Sequence, residues 1–431
     1  ADINNRLLDY QRQAMRTLGF AYKVLGDDES VFVDDRIVAG PFTFQGIVAI
    51  SDPVRSDVPA AVKECLDAGI AIKIVTGDTP ATACEIGRQI GLWSDADNDR
   101  NIITGPELGA LSDSELDSRV MDLKIIARAR PMDKKRLVES LQRCNQVVAV
   151  TGDGTNDAPA LKQAHVGLSM GDGTSVAKEA SDITIIDNSF GSIGRAVMWG
   201  RSLYQNIQRF LLFQLTVNVA ASFIVLLGAF MGTQSPLTVT QMLWVNLIMD
   251  TFAAMALASL PPSERVMRDK PRDRKAFILN RNMYENILGV GGFFFLLLFV
   301  LLFVFEHADI RQLTDLLHVH LGKADGLTPY ELTLFFTIFV MTHFFYLFNA
   351  RAFETGRSAL HFKGCKGLLF TAAIIFLGQI AMVELPVLQQ FFNVVGLKFT
   401  DWVIIIVGSS LVLWVREVWQ WIKHLSTNKR K

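Results

Sequence analysis

Cysteine is scarce: Cys65, Cys84, Cys144 and Cys365 are the four in 431 residues, and none lies in a CxxC or other paired spacing. Neither a disulfide framework nor a zinc site is supported, and buried thiols in a reducing compartment are the plain reading. Charge is thin as well. Charged residues make up 20% of the chain, against about 25% in ordinary soluble domains. Half of the residues are hydrophobic and the mean hydropathy is +0.29. An ordinary soluble enzyme is excluded by this composition, and a small stapled module by a length that admits about three domains. No signal peptide opens the chain, which starts on Ala1 in charged sequence that reads like the middle of a domain. A truncated start is therefore expected.

The near-zero net charge hides a division near residue 206. Up to that point there are 29 acidic and 22 basic residues, and beyond it 14 acidic and 20 basic. Phenylalanine divides more sharply, with 5 of 30 before the division and 25 after it. Two solvents are implied, water for the first part and lipid for the second.

In the first part, FTFQGIVAI, AIKIV, QVVAV, VGLSM and DITII read as buried strands, and segments such as PAAVKECLDAG and TPATACEIGRQIG carry helix period and end at glycine. Strands alternating with helices predict a doubly wound, mainly parallel sheet, with ligands at the carboxyl ends of the strands. The loops after AIKIV and QVVAV are thus the places to look for chemistry. In the second part, six apolar stretches approach spanning length, at about 209–230, 238–260, 286–305, 332–349, 367–385 and 402–420. Basic residues crowd the connector between the second and third stretches (Arg265, Arg268, Lys270, Arg272, Arg274, Lys275, Arg281), and the tail ends NKRK. By the positive-inside rule this connector, both ends and the α/β region face the cytoplasm. Residues 190–208 read as a helical stalk into the first span.

The stretch QVVAV-TGDGTNDAPAL delivers Asp153 and Asp157 at the end of a strand, with Asn156 between them and glycines for the tight turn. Such a pair suits Mg²⁺, which binds through one or two carboxylates together with phosphate oxygens. TGDGTNDAPAL resembles the hinge motif of P-type cation-transporting ATPases, a branch of the haloacid-dehalogenase-like fold. SDPVR, with Asp52 and Arg55, resembles the family's DPxR motif; Thr76, Gly77 and Asp78 resemble its TGD motif; Lys134 in ARARPMDKKRLV matches its phosphate-neutralising lysine. Arg16 resembles the arginine of the nucleotide domain that reaches ATP phosphates.

The resemblance implies a nucleotide-domain remnant at 1–35, a haloacid-dehalogenase-like (Rossmann-like) α/β phosphorylation domain at 36–189, the stalk, and an all-α bundle of six transmembrane helices at 209–425. It also implies roles: Thr76 donating to a phosphoryl oxygen, Lys134 offsetting its charge, Asp153 holding Mg²⁺, and Asn156 and Asp157 orienting the loop. The family's phosphorylated aspartate lies in a DKTGT motif, and no DKTGT occurs in these residues. The isolated chain is expected not to hydrolyse ATP.

Ionisable groups inside spans are costly and usually functional. The second span, TVTQMLWVNLIMDTFAAMALASL, carries Asn246 and Asp250 four residues apart, a spacing that predicts one shared helix face; the first adds Asn218. LWVNLIMDT resembles the sixth membrane helix of calcium pumps, and among them the plasma-membrane-type branch. Ala221, Met249 and the absence of a central carboxylate in the fourth span depart from two-site pumps, so a single Ca²⁺ per cycle is expected at Asn246, Asp250 and Asn218. Glu384 is read as structural, and His343 as packing or lining the bundle. The expected partners are ATP, Ca²⁺, the lipid bilayer and the amino-terminal half of the same pump, with no nucleic acid, at the plasma membrane. A pump for Mn²⁺ or Na⁺/K⁺, a membrane-anchored phosphatase of the same superfamily and a non-catalytic half-pump are the alternatives.

Overall fold

The computed structural model describes residues 2–13, 15–25, 32–33, 36–37, 40–50, 53–232, 235–323 and 326–428. The chain divides into two compact units, residues 1–198 with 264–275, and residues 199–263 with 276–431.

The first unit opens with helix α1 (Asp2–Arg12) and strand β1 (Arg16–Tyr22), followed by the two-residue strands β2 (Phe32–Val33) and β3 (Arg36–Ile37), which pair with each other, and β4 (Thr43–Ile50). β1 pairs antiparallel with β4, from Arg16 opposite Ile50 to Tyr22 opposite Thr43. FTFQGIVAI therefore forms a strand outside the parallel layers, and a boundary at 35/36 would cut through this two-stranded sheet.

The parallel strands form two separate ladders instead of one. β5 (Ile74–Val75), β6 (Ile102–Thr104) and β7 (Ile125–Ala127) are ordered β5-β7-β6, while β8 (Ala149–Gly152), β9 (Val166–Met170) and β10 (Ile183–Ile185) run β8-β9-β10. AIKIV contributes only its last two residues to the ladder. Lys73, just before them, points its ammonium at the carbonyls of Val120, Met121 and Leu123. In QVVAV the strand begins later than its apolar run, because Val148 donates its N–H to Nδ1 of His165, 3.1 Å away.

Helices α2 (Val58–Asp67), α3 (Pro80–Gln89), α4 (Gly105–Ala110), α5 (Asp113–Arg119), α6 (Pro131–Arg143), α7 (Ala158–Gln163) and α8 (Ser175–Ala180) connect these strands. Their starts are written in the sequence: Thr79 and Ser112 cap α3 and α5 through their hydroxyls, and Pro80 and Pro131 occupy first-turn positions where no N–H is required. α6 turns Leu137, Val138 and Leu141 onto a core with Ile103, Leu108, Leu116, Val120, Leu123, Ile126 and Val148. Each such side chain removed from water contributes about 1.5–3 kcal/mol.

α5 and α6 are also tied by charge. Asp117 accepts from Ser140 Oγ at 2.5 Å and from Nε and Nη2 of Arg143 at 2.8 and 2.7 Å. The Arg143 fork, then the Ser140 hydroxyl, hold its carboxyl down at about 2. A depressed carboxyl pKa contributes stability that is present above the unfolded value of about 3.9 and lost as pH falls towards 2. Acid denaturation followed by circular dichroism should therefore show a component between about pH 4 and pH 2 that Asp117→Asn removes.

A single helix of 42 residues, α9 (Phe190–Met231), carries both the stalk and the first span without a break, despite glycines at 191, 194 and 200. Among the described residues, six helices are long and apolar enough to cross a membrane: α9; the element from Val239 to Ala258; α12 (Arg281–His307); α13 (Pro329–Arg351); α14 (Lys366–Glu384); and α16 (Phe399–Asn428), through Ile422. They coincide with the six apolar stretches of the sequence.

The second span is not one regular helix. α10 (Val239–Leu243) passes into a π-helical turn, Trp244–Met249, and then into α11 (Asp250–Ala258). α13 is the central helix of this unit, with 83% of its spanning window buried against 22–39% in the other five. Phe335, Phe336 and Phe339 are fully buried along it, whereas α12 and α16 keep apolar faces outward.

At the end carrying Pro329, short helix α15 (Pro386–Phe392) and the 308–323 loop close over the bundle, pinned by buried carboxylates. Glu331 accepts from the N–H groups of Ile310 and Thr328 at 3.1 and 2.8 Å and pairs with Lys323; Asp401 accepts from the Leu313 N–H at 2.8 Å and from the Tyr330 hydroxyl. Glu384 fills the same kind of role, accepting the Trp402 indole N–H at 2.7 Å.

Candidate functional site

The first group of predicted residues lies at the carboxyl ends of β5 and β8, in two hydrogen-bonded sets. After β5 the backbone of Thr76 is held on both sides: its N–H reaches Ile126 and its carbonyl accepts from Ala129, both at 2.9 Å. The Thr76 hydroxyl donates to Asp78 Oδ2 at 2.9 Å and accepts from the Asp78 N–H at 3.1 Å, closing the turn around Gly77. Arg128 donates to the Asp78 carbonyl at 2.9 Å. Arg128 itself has φ of 49°, a left-handed conformation that costs a non-glycine residue about 1 kcal/mol and persists only where its surroundings impose it.

Three residues further on, α6 begins, and Lys134 in its first turn sets Nζ 2.5 Å from Asp157 Oδ1. Asp157 is buried, and its second oxygen accepts from the Gly154 N–H at 3.3 Å. Thr76 and Asp78 thus share one hydrogen-bonded turn around Gly77, and Lys134 and Asp157 form an ion pair at the loop after β8.

The other two motif residues, Asp153 and Asn156, are exposed. The Asp153 backbone is fixed from across the loop, its carbonyl accepting from Thr174 at 2.8 Å, which leaves the carboxylate free to face solvent. Glycine is required at 152: a Cβ there would lie 2.4 Å from Asp157 Cβ and 2.7 Å from its Oδ2. Because Asp157 is held by Lys134, it has nowhere to retreat. Gly152→Ala should destabilise the first unit by about 1–3 kcal/mol, read as a lowered denaturant midpoint at constant slope.

An exposed carboxylate in the loop that also carries Asp157 is a donor of the kind Mg²⁺ takes when water and phosphate complete its shell. Among the described residues no group of three or more His, Cys, Asp or Glu could hold a metal ion by itself.

Asp52 and the Arg16 side chain lie outside the described residues; the Arg16 backbone is in β1. Arg55 donates through Nη1 to the Asn188 carbonyl at 2.7 Å, tying the DPxR segment to the end of β10. The connector Glu264–Lys275 belongs to this first unit. Val266 and Met267 are buried with Ala68, Ile70, Val197 and Met198, and Pro271 packs on Gly69, whose φ of +75° only glycine adopts freely.

The second cluster lies in the spanning helices. Asp250 is 2% exposed, and neither carboxylate oxygen has a hydrogen-bond partner. A carboxylate so placed costs several kcal/mol unless a cation or proton meets it. Asn218 on α9 is half-buried and Asn246 is exposed. No hydrogen bond links the three among the described residues.

Asn246 is exposed where Asp250 is buried, and Asn246 lies within the π turn Trp244–Met249, which ends one residue before Asp250. Sequence reading missed this turn; its only visible trace is the polar pair itself, since π turns cluster at functional sites. His343 packs between Phe294 and Phe339 and donates from Nδ1 to the Phe339 carbonyl at 2.6 Å.

Residues 2–165 match the haloacid dehalogenase-like hydrolase family, a related hydrolase family covers 134–197, and residues 234–422 match the C-terminus of cation transporting ATPases. The rice (Oryza sativa subsp. japonica) calcium-transporting ATPase 7, plasma membrane-type, is 39% identical over 412 residues, 94% of this chain and 38% of that protein. Human plasma membrane calcium-transporting ATPase 4 is 37% identical over 417 residues, covering 93% of this chain and 33% of its own length. The calcium-transporting ATPase PAT1 of Dictyostelium discoideum is 36% identical over 439 residues, 96% of this chain and 38% of its own. The chain spans about two-fifths or less of each of these relatives.

A haloacid-dehalogenase-like hydrolase domain continued by six candidate spanning helices defines a multi-pass membrane protein of the ATPase class. Within that class, the chain belongs to the P-type cation-transporting ATPase family, where it corresponds to the carboxyl-terminal part of plasma-membrane-type calcium pumps.

Proposed function

We propose that this chain is the phosphoryl-handling and ion-holding part of a pump that uses ATP to move Ca²⁺ out of the cytoplasm, across the plasma membrane, through an aspartyl-phosphate intermediate. The observation that carries the reading is Asp250: a fully buried carboxylate with two empty oxygens in a helix apolar enough to span a bilayer. Such a group is retained where it binds a cation. Asn218 and Asn246 add neutral oxygens, and the exposure of Asn246 leaves its face open to a helix from the amino-terminal half of the pump.

In the first unit, Thr76 and Lys134 bind and neutralise the transferred phosphoryl group, while Asp157 holds the Lys134 ammonium in place. Asp153, with Asn156 beside it, presents the carboxylate that would hold Mg²⁺, which supplies Lewis-acid stabilisation of phosphoryl charge when bound. The nucleophilic aspartate comes from the amino-terminal half. β5 and β8 are each the edge strand of their ladder, where a further strand can pair.

Asp250 together with one upstream carboxylate supplies charge for a single divalent ion per cycle. The complete pump in sealed vesicles should show Ca²⁺-stimulated ATP hydrolysis with about one Ca²⁺ taken up per ATP. Mn²⁺ stimulation without Ca²⁺ stimulation would replace the ion assignment, and a ratio near two would replace the single-site assignment.

A further inference from the structure

The buried face of α14 is formed by Leu368, Thr371, Ala372, Ile375, Gln379, Met382 and Val383; of its two polar residues, Thr371 donates to the Gly367 carbonyl at 2.9 Å, and Gln379 has no such partner among the described residues. Gln379 is 0% exposed, and both its Oε1 and its Nε2 are buried without a hydrogen-bond partner. Beside it, Gly378 makes room for the Trp244 ring, whose Cη2 would stand 2.8 Å from a Cβ at that position. The Trp244 indole Nε1 is buried and unpartnered too, as is Oγ1 of the fully buried Thr337 on α13.

These groups share a depth. The Val239, Pro329 and Glu384 ends of their helices are held together through α15 and the turn after it. Gln241 donates to the Phe392 carbonyl at 3.2 Å, and the Val395 N–H to Thr333 Oγ1 at 3.0 Å. Counted from those ends, Trp244, Gln379 and Thr337 lie about 7–12 Å inside the bundle at 1.5 Å per residue.

α14 and the second span thus bring orphaned groups together at Gly378 and Trp244, and α13 carries a third, Thr337, at a similar count from its end, in a mostly apolar core. Native interiors satisfy such groups, with ordered water where protein partners are lacking. The chemistry selects the ligand. An indole N–H is a donor only and opposes a bare cation, whereas an amide and a hydroxyl offer both roles, so the set matches water.

We propose that Gln379, Trp244 and Thr337 hold a fixed water cluster between Asp250 and the outer end of the bundle. Asp250 lies six residues inward from Trp244 along the second span. Resting on the transport reading above, the cluster supplies the first oxygens of the shell that a cation leaving Asp250 must regain, so that release does not cross a dry layer.

The test is radiolytic hydroxyl-radical footprinting of the complete pump in lipid vesicles, where bound water labels adjoining side chains. Trp244 should oxidise at least about fivefold faster than the outward-facing Trp414 and Trp419, and Gln379→Met should bring that ratio near one. The same variant should slow Ca²⁺ uptake about tenfold without lowering the thermal midpoint, because methionine conserves volume in an apolar setting. Trp244→Phe, which removes the N–H donor, should slow uptake similarly if Gln379→Met does not fold. Trp244 labelling no faster than Trp414, or unchanged by Gln379→Met, would overturn the water site. Fast, Gln379-dependent labelling in a pump that takes up no Ca²⁺ would leave the water site standing and remove the Ca²⁺ reading.

Discussion

Asp250→Asn should abolish Ca²⁺-dependent ATP turnover and lower uptake by at least about 100-fold, equivalent to some 2.7 kcal/mol. The substitution keeps size and shape and removes one negative charge, so what it tests is charge at that position. Hard divalent cations depend on carboxylate oxygens, and amide oxygen is a weaker ligand. The two carboxylate oxygens are buried and have no donor from the protein, so no internal hydrogen bond is lost in the exchange. The variant should therefore unfold at a temperature equal to or above that of the native protein, because a buried unpaired charge has been replaced by a neutral group. Lost transport with retained stability separates an ion ligand from a structural residue, whose loss would lower both. Full Ca²⁺ dependence in the variant would sink the assignment of Asp250.

How much of this was legible beforehand depends on where each residue's constraint lies. The loops after β5 and β8 could be located because their chemistry is local: glycines at forced turns, a threonine that closes its own turn on Asp78, and carboxylates at strand ends. The spans were legible because lipid demands a long apolar run, and all six stretches became helices. Long-range pairing was not legible. β1 pairs with β4 across some twenty residues, and nothing in RTLGFAY distinguishes that partner from a parallel neighbour. β6 and β7, three residues each, are too short to carry a period.

Other misses have the same origin. Arg128 adopts its left-handed conformation because Asp78 and Thr76 bind the backbone around it, a condition that exists only in the folded chain. Glu331 and Asp401, fully buried, look in sequence like solvent-facing charges at helix starts; their partners come from the 308–323 loop and Tyr330. The π turn at Trp244–Met249 leaves no mark in the apolar pattern of the second span, so residue counting does not find it.

Lys134→Met should reduce formation of the phosphorylated pump from ATP by about 10²–10³-fold, the usual consequence of removing one preorganised charge from a developing oxyanion. It should also reduce stability, for a different reason. Lys134 Nζ and Asp157 Oδ1 are 2.5 Å apart, with 26% and 10% of the two side chains exposed, and without the lysine Asp157 keeps only the Gly154 N–H at 3.3 Å. Leaving that carboxylate nearly unpaired costs about 1–3 kcal/mol. The two consequences can be separated. In Lys134→Met with Asp157→Asn the orphaned charge is gone, so much of the stability should return, while phosphorylation stays low because the Lys134 ammonium no longer faces the phosphoryl group. Lys134→Arg should recover the stability and only part of the rate, since the planar fork cannot place its charge where a compact ammonium on a shorter reach to Asp157 does. Recovery of phosphorylation in the double variant would mean that Lys134 serves only to hold Asp157, and the phosphoryl-binding role would then pass to another cation.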